Sequence, residues 1–230
     1  MYPDSRQEGT EMSKDAHPDT DSESLVGDLT RSLEEYRQRS QVAISAIDVA
    51  AVSLWTVEVY QAWRDDRQLL VFGNGGSAAT ASHLAEDLAT YAIPFSEPRR
   101  LKVLSLNDSP STLTALGNDI GFEAIFTEQV QQWARPGDLV LTMSGSGNSP
   151  NLVAAIEKAR ELGCQTSAMT GFSGGKLKSL VQHPLHVEIH EMQPAQDAHM
   201  IMTHMIIDGF RTLVRHELAE DIDKYLRQLE

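Results

Sequence analysis

Five short runs of mostly apolar residues recur along the middle of the chain, and segments with helical spacing or glycine-rich turns separate them. Near-continuous apolar strands that alternate with helices are typical of a parallel sheet whose two faces are both covered. The pattern therefore predicts an α/β fold, a three-layer sandwich with a five-stranded parallel sheet in the middle. The predicted strands are residues 68–73, 101–106, 138–144, 165–171 and 184–190.

Helical periodicity is clear before the first strand and after the last one. It predicts helices over residues 25–47, 48–65 and 194–217. In the second of these, four apolar side chains recur three or four positions apart and form one stripe, namely Val52, Trp55, Val59 and Ala62. Because two helices precede the whole sheet, their apolar faces must pack on the sheet or on another subunit.

Two further helices are predicted between strands, and both have recognisable ends. Residues 121–134 are followed by an Arg-Pro-Gly sequence, which stops a helix. Residues 149–163 begin with Ser149 as the N-cap and Pro150 in the first turn, and they end at Gly163.

The first 23 residues differ from the rest in composition. Seven acidic residues stand against Arg6 and Lys14, and apolar residues are few. A segment of this kind buries too little apolar surface to fold alone. We therefore predict a disordered acidic tail over residues 1–23 and a single domain over residues 24–230. The composition of the tail favours a solvated segment over an arm that binds a partner.

Charge and cysteine content narrow the function classes. The formal net charge is −14, and no dense basic run occurs, which argues against binding to nucleic acid or to an anionic membrane. Cys164 is the only cysteine, so no intrachain disulfide can form. The sequence has neither an apolar run of about 18 residues nor a signal-peptide pattern. From these features we expect a cytoplasmic protein.

Two predicted strands end in turns rich in glycine and serine, "VFGNGGSAAT" and "LTMSGSGNSPN". Ligands of parallel sheets bind beyond the carboxyl ends of the strands, and the N–H groups at a helix start favour an anion. Ser144, Ser146 and Ser149 add hydroxyl donors. The two turns therefore predict a phosphate site that uses no lysine.

The two turns also allow other interpretations. A phosphate loop of the G-x-x-x-x-G-K-[ST] type is absent, which excludes that class of nucleotide site. Gly73, Gly75 and Ala78 loosely match a dinucleotide fingerprint, but that fingerprint predicts no second, serine-rich turn. The remaining alternative is that glycine and serine only form tight turns.

The motifs "GNGGSAATASHLAEDL", "ALGNDIGF", "SGSGNSPNLVAAIEKARELG", "MTGFSGGKL" and "QDAHMIMTHMIID" follow one another in this order. Together they resemble the sugar isomerase (SIS) domain family, in its phosphoheptose isomerase branch, over about residues 25–217. The resemblance implies a flavodoxin-like fold and a homo-oligomer, most simply a tetramer, with the N- and C-terminal helices at its interface.

The resemblance also implies the residues of the site. Asp87 would be the catalytic base and His204 the acid, and one Zn²⁺ per subunit would be held by His83, Asp87, Gln196 and His204. The phosphorylated sugar would be bound by Asn74, Gly75, Gly76, Ser77, Asn107, Asp108, Ser144, Gly145, Ser146, Ser149 and Gln196.

The spacing of the implied metal ligands can be tested physically. His83 and Asp87 are one helical turn apart and can chelate one ion. Gln196 and His204 are eight residues apart, about 12 Å of helical rise. Both reach one ion only if their side chains lean together or if a second subunit supplies one, and the sequence leaves this open. Four other histidines are predicted to be structural, namely His183, His186, His190 and His199.

The implied activity is an aldose–ketose isomerisation through an enediol, namely conversion of sedoheptulose 7-phosphate to D-glycero-D-manno-heptose 7-phosphate for activated-heptose biosynthesis. Three positions depart from the family pattern. Asp87 stands in place of Glu, Tyr91 in place of Arg, and Gln193 in place of Asp. Two alternatives therefore remain, an isomerase of another sugar phosphate and a non-catalytic SIS scaffold of the kind that binds a replication initiator. The presence of all four implied ligands favours an enzyme over the scaffold.

Overall fold

The computed structural model describes residues 20–227, with side chains over residues 22–219. The chain divides into two compact units, Met1–Gln38 and Arg39–Glu230. In the first unit the described residues form the beginning of helix α1 (Thr20–Ser45), and its apolar side chains Leu25, Leu29 and Leu33 are exposed. Of the predicted tail, residues 1–19 lie outside the described residues, and the last four belong to α1.

The second unit alternates strands and helices along most of its length. After α1 the elements are α2 (Val49–Arg64), β1 (Gln68–Gly73), α3 (Gly76–Thr90), β2 (Lys102–Ser105), α4 (Pro110–Asp119), a 3-10 turn (Phe122–Ala124), α5 (Ile125–Trp133), β3 (Leu139–Ser144), α6 (Pro150–Glu161), β4 (Gln165–Thr170), α7 (Gly175–Leu180), β5 (His183–His186) and α8 (Met192–Arg227).

The five strands form one sheet in the order β2-β1-β3-β4-β5, and every neighbouring pair is parallel. This confirms the predicted α/β class and the flavodoxin-like strand order. The order reverses between β1 and β3, and in such sheets ligands bind beyond the carboxyl ends of the strands at that point. Both glycine-serine turns follow these two strands.

Alternate residues of the strands point into two separate apolar clusters. On one face Leu69 and Val71 of β1 pack with α2, α3 and α8, whose contributions include Trp55, Leu84 and Phe210. On the other face Leu70 and Phe72 pack with α5 and α6, and the Phe72 ring stacks on Phe126 with 4.9 Å between centroids. The predicted stripe of α2 is confirmed, because all four of its residues are buried. Both faces of the sheet are therefore covered, as a three-layer sandwich requires.

Four predicted elements differ from the structure. The helix expected over 25–47 is Thr20–Ser45. The strand expected over 184–190 is only His183–His186, because β4 ends at Thr170 and offers no further ladder partner. The helix expected over 121–134 begins with a 3-10 turn and becomes α-helical at Ile125. The last helix is longer than the predicted 194–217, since α8 begins at Met192 and ends at Arg227.

Among the described residues, no single helix combines the length and apolar character of a membrane span. A bent pair, Ser22–Ser45 with Val49–Arg64, meets those two criteria only when the two helices are taken together.

Candidate functional site

The glycine turn, residues 73–77, joins β1 to α3 in a compact form. Gly75 has φ +56°, a backbone conformation that other residues rarely adopt. The N–H of Ser77 donates to the Asn74 carbonyl at 3.0 Å, and the N–H of Ala78 donates to the Gly75 carbonyl at 3.0 Å. The turn therefore leads directly into α3 and directs the start of that helix toward the carboxyl edge of the sheet.

The serine turn, residues 144–149, joins β3 to α6. The hydroxyl of Ser144 accepts from the Gly147 N–H at 3.1 Å, and the hydroxyl of Ser146 accepts from the Asn148 N–H at 3.3 Å. Ser149 occupies the N-cap position of α6, as predicted, but its side chain makes no capping hydrogen bond. Its hydroxyl thus remains available to a ligand at the start of the helix.

A third loop, residues 171–176, supports the serine turn from behind. A side-chain carbon added at Gly175 would lie 2.5 Å from the Ser146 carbonyl oxygen, so the two backbones are in direct contact. The N–H of Gly171 donates to the Gly145 carbonyl at 2.9 Å, and the N–H of Leu177 donates to the Gly147 carbonyl at 3.0 Å. The serine turn is consequently fixed by backbone contacts on its outer side.

A cavity of about 290 Å³ lies between the two turns. Nine of the predicted substrate-binding residues line it, namely Asn74, Gly75, Gly76, Ser77, Ser144, Gly145, Ser146, Ser149 and Gln196. None of its lining residues is a lysine or an arginine. Neutral hydroxyl, amide and backbone groups would therefore have to hold an anion here.

Met192 also lines this cavity, and no sequence signal identified it. It is the first residue of α8, and a side-chain carbon added at Gly145 would lie 2.5 Å from its sulfur. The thioether therefore covers the serine turn.

Asn107 and Asp108, also predicted to bind substrate, lie elsewhere. Asn107 lines a neighbouring cavity of about 540 Å³ on the side of α4 and α5. Its side chain accepts from the Gly73 N–H at 3.1 Å and donates to the Gly73 carbonyl at 3.0 Å. Asp108 accepts a hydrogen bond from Ser82 at 2.5 Å. Their contact with a substrate stays a prediction.

Three of the four predicted metal ligands lie together. His83 and Asp87 of α3 face His204 of α8, and their ligand atoms all lie within 4.8 Å of one another. The His83 Nε2 atom is 3.0 Å from the His204 Nε2 atom and 3.5 Å from the Asp87 Oδ2 atom. Ligand atoms of a tetrahedral zinc with bonds of about 2.1 Å are about 3.4 Å apart. Two imidazoles and one carboxylate at these distances fit a zinc ion, and such a set leaves a position open for substrate.

Gln196, the fourth predicted ligand, lies beside the glycine turn. A side-chain carbon added at Gly76 would lie 2.9 Å from the Gln196 Nε2 atom. Gly76 faces Gln196 and His83 faces His204, so α3 and α8 run side by side in the same direction. His83 is seven residues beyond Gly76, about 10 Å of helical rise. The structure thus places Gln196 at the cavity, and its role as a metal ligand stays a prediction.

The four histidines predicted to be structural make contacts away from the cavity lining. The His183 ring packs on Trp55 with 5.5 Å between centroids, and the His190 ring is 6.0 Å from that of Phe172. His186 Nδ1 is 3.1 Å from the Thr170 hydroxyl, and burial lowers the pKa of this histidine. Burial also lowers the pKa of His199 to about 4, so its imidazole is uncharged at neutral pH.

Comparison with known proteins places the chain in a family. A model of the SIS domain matches residues 32–171. A phosphoheptose isomerase of Geobacter sp. (strain M21) is 44% identical over 170 residues, which are 74% of this chain and 83% of the relative. A phosphoheptose isomerase of Aquifex aeolicus is 36% identical over 182 residues, 78% of this chain and 94% of the relative.

The fold comparison agrees with these sequence matches. A solved phosphoheptose isomerase from Francisella tularensis superposes with a TM-score of 0.74 and 26% sequence identity, covering 82% of this chain and 98% of that one. Motifs, strand order, cavity and relatives all agree, and the chain belongs to the SIS domain family, within its phosphoheptose isomerase branch.

Proposed function

We propose that this protein is a phosphoheptose isomerase that interconverts sedoheptulose 7-phosphate and D-glycero-D-manno-heptose 7-phosphate. One observation carries the proposal. An anion cradle without lysine and a His-Asp-His cluster lie along the same pair of helices, α3 and α8. The first can hold the phosphate of a sugar, and the second can act on the carbonyl end. The relatives named as phosphoheptose isomerases support the choice of substrate.

The phosphate would bind to the serine turn. Ser144, Ser146 and Ser149 offer hydroxyls, and the start of α6 adds the positive end of a helix dipole. Because these donors are neutral, they bind a dianion without adding positive charge to the site.

Asp87 and His204 would move the protons of the isomerisation. The Asp87 carboxylate takes the proton from the carbon beside the carbonyl, and His204 gives a proton to the carbonyl oxygen, which yields the enediol. Asp87 then returns its proton to the former carbonyl carbon while the other hydroxyl of the enediol loses its proton to His204, which forms the new carbonyl and restores both residues. Each residue has two polar atoms, so one can face a metal while the other serves the substrate.

His83, Asp87 and His204 would hold one zinc ion, with Gln196 as the fourth ligand implied by the family. The ion would polarise the substrate oxygens and stabilise the negative charge that develops on them as the proton leaves carbon.

The assembly would be a homotetramer in the cytoplasm. Exposed apolar side chains on α2, among them Val49 (59%) and Leu54 (66%), support burial against another subunit. A groove between α2 and α8, lined by Val52, Thr56 and Met205, belongs to the same surface. Light scattering at micromolar protein concentration tests this, and a monomer would contradict it.

The decisive experiment offers the purified protein a panel of ketose phosphates of five, six and seven carbons, before and after removal of metal and with added zinc. We expect aldose formation to be fastest with the seven-carbon substrate and to depend on the metal. Preference for a shorter sugar would indicate an isomerase of another sugar phosphate. Absence of turnover on every substrate would favour the non-catalytic scaffold.

A further inference from the structure

Two asparagine side chains connect the glycine turn to the first turn of α6, which directly follows the serine turn. The Asn74 Nδ2 donates to the Asn151 Oδ1 at 2.9 Å, and the Asn151 Nδ2 donates to the Asn74 Oδ1 at 3.0 Å. Asn151 is the second residue of α6, and only 2% of its surface is exposed. It does not line the cavity itself. Its contact with the site therefore passes through Asn74.

The glycine turn is held from its other side as well. The Asn107 amide bonds both the N–H and the carbonyl of Gly73, in the manner of a strand neighbour. β1 lies between β2 and β3, and one asparagine comes after each of these neighbouring strands. Asn107 hydrogen-bonds Gly73, and Asn151 hydrogen-bonds the next residue, Asn74. The two amides together fix the peptide units that lead into Gly75.

A reciprocal amide pair fixes both position and orientation, because neither side chain can rotate without losing two hydrogen bonds. A buried amide that loses its partner is left unsatisfied, which disfavours any displaced turn. A binding site that is already ordered loses less conformational entropy when its ligand arrives. The pair thus keeps the start of α3 and the serine turn at a fixed separation before any ligand binds.

We propose that Asn151 is a positioning residue, which acts through Asn74 to hold the glycine turn in register with the serine turn. The effect of Asn151 on ligand binding rests on the proposed function, since a sugar phosphate would contact both turns. The effect of Asn151 on the order of the glycine turn does not, and it can be measured without any ligand.

Hydrogen exchange of the amides of residues 75–79 tests the order of the turn in the absence of sugar. We expect exchange at least about fivefold faster in Asn151→Ala, in Asn74→Ala and in the double variant, and equal among the three because they break the same pair. Parent-like exchange in Asn151→Ala, or a double variant equal to the product of the single effects, overturns the inference. Gln129→Ala is the control, since it removes a buried amide that bonds the Ile125 carbonyl within its own helix, and it should leave these amides unchanged.

A second variant guards against a folding failure of Asn151→Ala. Asn151→Asp keeps the size of the side chain and places an acid in the first turn of α6, which favours the helix. Its carboxylate accepts from Asn74 but cannot donate to it. Exchange of residues 75–79 should again be faster, and unchanged exchange contradicts the proposal.

Kinetics separate positioning from a general structural effect. We expect Asn151→Ala to raise KM for the sugar phosphate about tenfold and to change kcat less than about twofold. A fall in kcat with KM unchanged overturns the inference. If the parent protein isomerises no sugar phosphate, the proposed function fails. The positioning role of Asn151 is then tested by the affinity of the parent and the variant for inorganic phosphate. Weaker phosphate binding by Asn151→Ala supports it, and equal binding overturns it.

Discussion

Gly147 is the position where a single methyl group should separate the serine turn from the loop behind it. Its φ is +66°, where only glycine is unstrained. A side-chain carbon there would overlap the carbonyl oxygen of Gly174 and lie 2.6 Å from its carbonyl carbon. Both atoms belong to the backbone, so no side chain can rotate away. Gly147→Ala must therefore displace one of the two loops.

The expected loss of stability has two parts. A non-glycine residue in a sparsely populated backbone region costs about 1–3 kcal/mol. Overpacking against a fixed neighbour adds about 1–3 kcal/mol. Gly147→Ala should thus lower the free energy of unfolding by about 2–6 kcal/mol. Gly75→Ala is the matched control, because φ is +56° there but nothing lies within 4 Å of the added carbon. Gly75→Ala should lose only the stability that corresponds to the unfavourable backbone conformation, about 1–3 kcal/mol.

Urea unfolding followed by circular dichroism measures both variants, and steady-state kinetics measure the effect on the site. We expect Gly147→Ala to be the less stable of the two and to raise KM for the sugar phosphate, since Ser146 precedes it directly. Equal stability of the two variants would show that backbone contact with Gly174 does not support the turn, and the reasoning would be wrong.

Other perturbations test the remaining parts of the site. Ser146→Ala should weaken sugar phosphate binding by about 1–3 kcal/mol in calorimetry, the cost of a hydrogen bond to a charged group; unchanged affinity would mean that the serine only forms the turn. His83→Ala should lose bound zinc on dialysis, whereas Asp87→Asn should lose far more turnover than substrate binding, and full activity of Asp87→Asn would refute its role as base. Asp87→Glu should cost at least about tenfold in rate, because the longer side chain misplaces the carboxylate. His199 is uncharged when folded but titrates near 6.5 when unfolded, so unfolding free energy should fall by up to about 3 kcal/mol as pH decreases from about 6.5 to 4; His199→Gln should flatten this dependence in urea titrations, and an unaltered pH profile would contradict it.

The fold could be predicted from the sequence because the apolar residues of β1 and β3 are all buried. The pattern is weaker in β2, where Leu104 is exposed, and in β4, where Ser167 and Thr170 are buried. The apolar pattern did not predict the end of β5, because a residue can be buried without lying in a paired strand. Leu185 and Val187 are buried, but only the first lies in β5, since β4 has ended before the second. Alternating apolar residues indicate which side chains face the core, and they do not indicate whether a neighbouring strand is still present.

The site could be predicted where a motif determines local geometry, as in the two turns and in the one-turn spacing of His83 and Asp87. Contacts between segments that are far apart in the sequence could not be predicted in this way. The pairing of Asn74 with Asn151 joins residues that are 77 positions apart. Met192 covers Gly145 because of where α8 begins, and helix ends are difficult to place from sequence alone. The position of Gln196 beside Gly76 likewise depends on how α8 lies against α3.

The parallel packing of α3 and α8 sets the distance between the cavity and the His-Asp-His cluster. One end of the pair meets the cavity at Gly76, and the cluster of His83, Asp87 and His204 lies farther along the two helices. The distance between the cavity and the cluster is set by helical rise, about 1.5 Å for each residue, and every inserted residue also rotates the following side chains by about 100°. A single insertion would therefore remove the cluster from its face instead of lengthening the site by a small step. If the proposed function holds, the length of the sugar that fits between the cavity and the cluster is consequently a property of the backbone, and side chains of the cavity lining such as Met192 can adjust the fit while that length stays constant.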